Sequence, residues 1–191
     1  MGRFAASNVG LRSGCFVFSL CTFTVITLPV VSLSPAGIFA DAITRHGLTG
    51  ATIVAPDEGA IGRCEAVRAA AGMTPAKIPY FEKHRTETGI IHTASVGDVG
   101  PRAVIIDDIL DTGGTLISAC EKLFAGGVKQ IDVMVTHGLF TGTRWLDLYR
   151  FGVKRIICTD SVPLPAGAGG PSIVRLPIAP LLAAQLANQP H

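Results

Sequence analysis

The sequence predicts an α/β domain: a parallel sheet flanked by helices on both faces. Three observations carry that expectation. Short runs that are apolar throughout alternate with stretches of helical periodicity, the pattern of strands buried on both sides and joined by covering helices. Polar residues collect directly after each apolar run: Asp57 and Glu58, Asp107 and Asp108, Thr136 and His137, Thr159 and Asp160. Finally, 48% of the 191 residues are hydrophobic and 16% are charged, against a usual charged share of about 25%. That composition provides the apolar area that offsets chain entropy, so disorder is excluded.

Taken in order, Ser34 and Pro35 read as the N-cap and first-turn proline of a helix over 34–46, stopped by Gly47. Residues 51–55 read as a buried strand. Residues 60–71 place Ile61, Cys64, Val67 and Ala71 on one helical face, with Gly72 as the stop. A further strand is expected over 77–81, followed by a polar, mobile loop over 82–89. Then 103–106 reads as strand, and 115–124 as a helix with Leu116, Ile117, Cys120, Leu123 and Phe124 inward, closed by Gly126 and Gly127. Strands over 131–135 and 155–158 are separated by a helix around 145–149, and a last helix covers 178–186.

Charge and cysteine content narrow the function classes. The chain has 16 basic and 14 acidic residues. Two of the bases, Arg3 and Arg12, precede Asp41, so the body is neutral. Tracking a nucleic-acid backbone requires a surplus of Lys and Arg, and none is present. The cysteines Cys15, Cys21, Cys64, Cys120 and Cys158 are odd in number and show no CxxC spacing, which speaks against a disulfide framework and against a zinc site. A reducing, cytoplasmic compartment is expected. Cys64, Cys120 and Cys158 fall on core faces, where a thiol packs as a small apolar group. Residues 15–31 are nearly all apolar and read either as a signal peptide or weak membrane span, or as buried strand rich in Phe, Val, Thr and Ile. Ala6 stands where N-myristoylation wants Ser or Thr, which removes that option.

One segment carries chemistry. Residues 104–115 read VIIDDILDTGGT: a hydrophobic strand, two adjacent acids, then Asp111, Thr112, Gly113, Gly114 and Thr115 opening a helix. The glycines let backbone amides approach an anion closely, the helix start adds partial positive charge, and Thr112 and Thr115 add hydroxyl donors. Asp107 and Asp108, near the strand end, can accept hydrogen bonds from a vicinal diol or hold hydrated magnesium. Phosphate and diol together describe ribose 5-phosphate. A bare DTGG would be a turn with an Asp cap. The apolar run, the paired acids and the downstream threonine favour the phosphate cradle.

The segment resembles the phosphoribosyl-binding motif of the type I phosphoribosyltransferase fold. Over residues 28–186 the chain resembles the ribose-phosphate diphosphokinase (PRPP synthetase) family, with APDEGA at 55–60, EKHR at 82–85, THG at 136–138 and TDSVPLP at 159–165 adding to the match. The resemblance implies transfer of diphosphate from ATP to the anomeric hydroxyl of ribose 5-phosphate with magnesium, in nucleotide biosynthesis. It assigns Asp111, Thr112, Gly113, Gly114 and Thr115 to the 5-phosphate, and Asp107 and Asp108 to the ribose hydroxyls. It assigns Asp57, Glu58, Gly59 and Ala60 to the diphosphate, with Asp57 also on the metal. It makes Lys83 and Arg85 the catalytic cations of a mobile loop, fixed positive charge being the main lever in phosphoryl transfer.

Each residue also has a plainer role open to it. Lys83 and Arg85 fit a solvated surface, Asp57 after Pro56 fits a turn, His137 fits a hydrogen-bonded structural position, and Trp145 and Tyr149 fit packing.

The chain departs from the family in length and in its start. Family members carry two such domains, the first supplying much of the ATP site, with an Asp-x-His metal element at the junction that is not found here. Glu58 and His84 replace a small apolar residue and an arginine. Residues 1–27 are expected to be a non-matching hydrophobic leader, or strand, ahead of a domain over 28–191. A split or truncated chain that needs a complementing ATP-binding half is expected, as is a homo-oligomer. Two other functions stay open: a phosphoribosyltransferase using PRPP and a nucleobase, and a non-catalytic regulatory subunit that binds phosphoribosyl ligands.

Overall fold

The computed structural model describes residues 31–86 and 89–187, with the backbone alone for 83–86 and 89–96. The expected leader over 1–27, the domain start at Leu28, Cys15 and Cys21 lie outside the described residues. The chain divides into Met1–Ser34 and Pro35–His191, and the architecture below is that of the second unit.

Its elements are α1 (Ala36–Arg45), β1 (Thr52–Val54), a 3-10 turn at Glu58–Ala60, α2 (Ile61–Ala70), β2 (Tyr80–Thr86), β3 (Gly89–Val96), β4 (Arg102–Leu110) and α3 (Gly114–Ala125). β5 (Gln130–Gly138), a 3-10 helix at Arg144–Phe151, β6 (Val153–Thr159), β7 (Ile173–Leu176) and α4 (Ala179–Ala187) follow. Five strands form one sheet in the order β1-β4-β5-β6-β7, every pair parallel, while β2 and β3 form an antiparallel hairpin.

Alternation along the strands builds two cores. Ala103, Ile105, Val133, Val135, Ile156 and Cys158 face a layer holding Leu116, Ala119, Cys120 and Leu123 of α3 with Trp145 and Leu148. Val104, Ile106, Met134 and Ile157 face the other way, onto Phe39, Ala42 and Ile43 of α1 and Cys64 and Val67 of α2. Each fully buried Ile or Leu stabilises by roughly 1.5–3 kcal/mol, so a sheet covered on both faces is the arrangement these apolar runs require. At the amino ends of the strands, Arg155 pairs with buried Asp132 at 2.6 Å and donates to His46 Nδ1 at 3.1 Å, tying α1 to β5 and β6.

The predicted class is the observed one: a parallel sheet with helices on both faces. Several details differ from the expectations. Pro35, not Ser34, stands at the N-cap of α1. Residues 82–86, expected as loop, continue β2, because the β-branched run of β3 offers them a partner through the register Lys83↔His92 and Arg85↔Ile90. β4 and β5 run to Leu110 and Gly138, so Asp107, Asp108, Thr136 and His137 lie on strands and not beyond them. Phe124 is 49% exposed instead of inward, its ring lying over Gly152 at the bottom of the sheet. The helix around Trp145 is 3-10, and β7 was not anticipated. Cys64, Cys120 and Cys158 are buried free thiols, as expected. Among the described residues no helix is long and apolar enough to cross a membrane.

Candidate functional site

Two loop-to-helix junctions lie side by side at the carboxyl edge of the sheet, where open α/β sheets take their ligands. The first joins β4 to α3. Gly113, at φ +89°, is the N-cap of α3, and no side chain caps that helix. The first-turn amides of any helix lack a carbonyl within the helix, so an uncapped start presents them to an anion. Gly113 is needed for two reasons: its positive φ suits glycine, and a Cβ there would lie 3.0 Å from Trp145 Cα. Trp145 is itself fixed by edge-on contact with Phe140, ring centroids 4.9 Å apart, and by a hydrogen bond from Nε1 to the Gly142 carbonyl. The Leu139 and Phe140 amides donate to the Leu110 carbonyl, fastening this support to the end of β4. Asp111 and Thr112 are exposed, and Gly114 and Thr115 are half-buried.

Asp107 and Asp108 stand four and three residues before Asp111 on β4. The Asp107 carboxylate accepts from the Asp108 amide at 2.9 Å. A residue that sequence reading missed joins them: Arg63 of α2 places Nη1 2.9 Å from Asp107 Oδ1 and Nη2 3.1 Å from Asp108 Oδ2. Burial, reinforced by the neighbouring Asp108, pushes the Asp107 carboxyl up to about 7. Asp108 moves the other way: burial alone would raise it, but the hydrogen bond with Asp107 and the Arg63 charge hold it below the usual carboxylate range.

The second junction joins β1 to α2. Asp57 accepts from the Ala60 amide at 3.2 Å and caps the Glu58–Ala60 turn. Glu58 and Gly59 are exposed and Ala60 is buried. Buried Cys64, its thiol pushed up to about 12 chiefly by burial, feels both the Asp107 and the Asp57 charges, so the two acidic positions flank one helix start. The strand carrying Lys83 and Arg85 packs beside Glu58–Ala60, and its partner β3 packs beside α3. The hairpin backbone therefore packs beside both the Glu58–Ala60 turn and α3. Among the described residues no three His, Cys, Asp or Glu side chains gather into a metal-binding group. Magnesium is commonly held by one or two carboxylates, substrate phosphates and water, a donor set that Asp57 with a diphosphate would fit.

The remaining motif residues close the same edge. Thr159 and Ser161 hydroxyls both donate to the Thr136 carbonyl, at 2.6 and 3.1 Å, and His137 Nδ1 lies 2.8 Å from Ser161 Oγ. Asp160 accepts from the Ile178 amide at 2.8 Å. These groups fasten β5, β6 and the entry to α4. Trp145 and Tyr149 pack edge-to-face at 6.4 Å.

Comparison with known proteins agrees with this architecture. The family described as phosphoribosyl synthetase-associated domain matches residues 72–183, more than half of the chain. A ribose-phosphate pyrophosphokinase of Cereibacter sphaeroides is 33% identical, covering 84% of this chain and 49% of its own length. One of Maricaulis maris is 31% identical, covering 81% and 50%. The crystal structure of phosphoribosylpyrophosphate synthetase from Mycobacterium smegmatis superposes with a TM-score of 0.68 at 28% identity, over 80% of this chain and 49% of that one. The chain spans about half the length of the curated relatives it matches.

Proposed function

The chain belongs to the phosphoribosyl synthetase-associated domain family, and from that premise we propose that it is the ribose 5-phosphate-binding half of a ribose-phosphate diphosphokinase. The observation that carries the proposal is the uncapped, glycine-gated start of α3 directly after the twin acids of β4. The 5-phosphate sits against the amides of Gly113, Gly114 and Thr115, with Asp111 and the Thr112 hydroxyl at the rim. The ribose hydroxyls donate to Asp107 and Asp108. Asp57, Glu58, Gly59 and Ala60 form the diphosphate side, and Asp57 would hold magnesium, which when bound offsets charge on the phosphates.

In the proposed reaction the anomeric oxygen bonds to the middle phosphorus of ATP, the bond to the α-phosphate side breaks, AMP leaves and the hydroxyl proton is lost. Lys83 and Arg85, on β2 beside the second junction, supply fixed positive charge to the moving diphosphoryl group. ATP is held largely by a complementing half or by further copies of the chain, and the setting is cytoplasmic. Purified chain should bind ribose 5-phosphate in calorimetry and, with ATP, magnesium and a complementing ATP-binding half, release AMP. A well-folded chain that binds no ribose 5-phosphate would reject the proposal.

A further inference from the structure

Successive residues of a strand point to opposite faces, and β4 keeps that alternation through Ile105 and Ile106, which belong to the two different cores. Asp107 and Asp108 continue the strand, so backbone geometry alone would send two adjacent carboxylates apart, and their charges would repel. Yet one guanidinium touches both, at 2.9 and 3.1 Å. Arg63 is only 33% exposed, whereas the Asp108 side chain is 55% exposed and has open solvent to swing into. Arg63 also rises from the helix that begins directly after the Asp57 junction, so its position is set by the diphosphate side of the site.

We infer that Arg63 is a positioning residue for diol recognition: its planar fork gathers the Asp107 and Asp108 carboxylates onto one side of β4, so that a vicinal diol meets two acceptors at once. This rests on the proposed ribose 5-phosphate site and names what sets its selectivity for the sugar. Arginine suits the task because its donors lie in one rigid plane and reach two acceptors in fixed relation. A lysine ammonium offers charge without that plane. The phosphate end of the ligand, against α3, does not involve Arg63.

The test is calorimetric titration of the full chain and of Arg63→Met and Arg63→Lys with ribose 5-phosphate, 2-deoxyribose 5-phosphate and inorganic phosphate, each variant checked for cooperative melting. The parent should prefer the ribose ester over the deoxyribose ester by about tenfold or more, the factor carried by one hydrogen bond to a charged acceptor. Arg63→Met should lose that preference while its affinity for inorganic phosphate stays within about twofold, and Arg63→Lys should restore little of it. The Lys variant decides the matter if Met impairs folding. Unchanged sugar preference in the variants, or tighter ribose 5-phosphate binding once Arg63 is removed, would overturn the role of Arg63 and leave the site itself standing. A parent chain that binds neither sugar ester overturns the proposed function and this inference with it.

Discussion

The junctions after β1 and after β4 occupy neighbouring places on one sheet edge, yet they treat their helix amides in opposite ways. At the first, Asp57 turns its own carboxylate onto the Ala60 amide and closes the turn from within. At the second, Gly113 takes a left-handed conformation, no side chain caps α3, and the twin acids of β4 pair with Arg63 instead. The difference teaches that topology places a potential anion site after every strand of such a sheet, and that the local side chain decides whether it stays open. Under the proposed function, the β4–α3 junction is the one that takes the sugar phosphate, its amides having no side-chain cap to displace. The β1–α2 junction already has its cap, so an anion there would compete with Asp57 for the Ala60 amide.

The contrast can be broken most severely by removing the twin acids. Asp107→Asn with Asp108→Asn should cut ribose 5-phosphate affinity by about a hundredfold or more, since two hydrogen bonds to charged acceptors are worth roughly 1.5–3 kcal/mol each. Calorimetry reads the loss, and an unchanged cooperative melt shows the fold intact. Next, Gly113→Ala closes the open junction. The positive φ and the 3.0 Å approach to Trp145 should together lower stability by about 1–3 kcal/mol in urea unfolding and weaken phosphate-ester binding. At the closed junction, Asp57→Ala removes a cap, so it should cost about 1 kcal/mol of stability with ribose 5-phosphate affinity unchanged.

A pH series sharpens the comparison further. Asp107 is raised from 3.8 to about 7, so the folded chain keeps a proton that the unfolded chain has lost. The resulting stabilisation is complete below about pH 4 and disappears as pH rises through 7. Asp108 shifts in the opposite direction and offsets part of the slope. Urea unfolding at pH 5 and pH 8 should show Asp107→Asn gaining stability relative to the parent at the higher pH. The smallest effect belongs to Arg144, whose Nη1 lies 3.9 Å from the point a Gly114 Cβ would occupy. Arg144→Ala should weaken phosphate-ester binding by about two- to fivefold at low salt and hardly at all at high salt, as an exposed charge is screened.

The sheet was legible because its strands are apolar on both faces, and the cradle was legible because glycine, threonine and paired acids adjoin in sequence. What escaped reading depends on partners distant along the chain. Glu82 to Arg85 look like loop until β3 pairs with them, and β7 is too short and too close to glycines to stand out until β6 lies beside it. Phe124 keeps helical spacing with Leu116 and Leu123, but at the end of α3 its ring lies over Gly152 and stays half exposed. Arg63 carries no local signal of its role, because the contact spans 44 residues. The Asp57 cap was readable as a turn, while its closeness to Asp107 emerged only from β1 pairing with β4.

Amide chemical shifts, followed by nuclear magnetic resonance as ribose 5-phosphate is added, give the most direct check. The prediction is that the Gly113, Gly114 and Thr115 amides move with saturable curves while those of Glu58, Gly59 and Ala60 stay in place. Saturable movement centred on the Glu58–Ala60 turn, or none at either junction, would contradict the account.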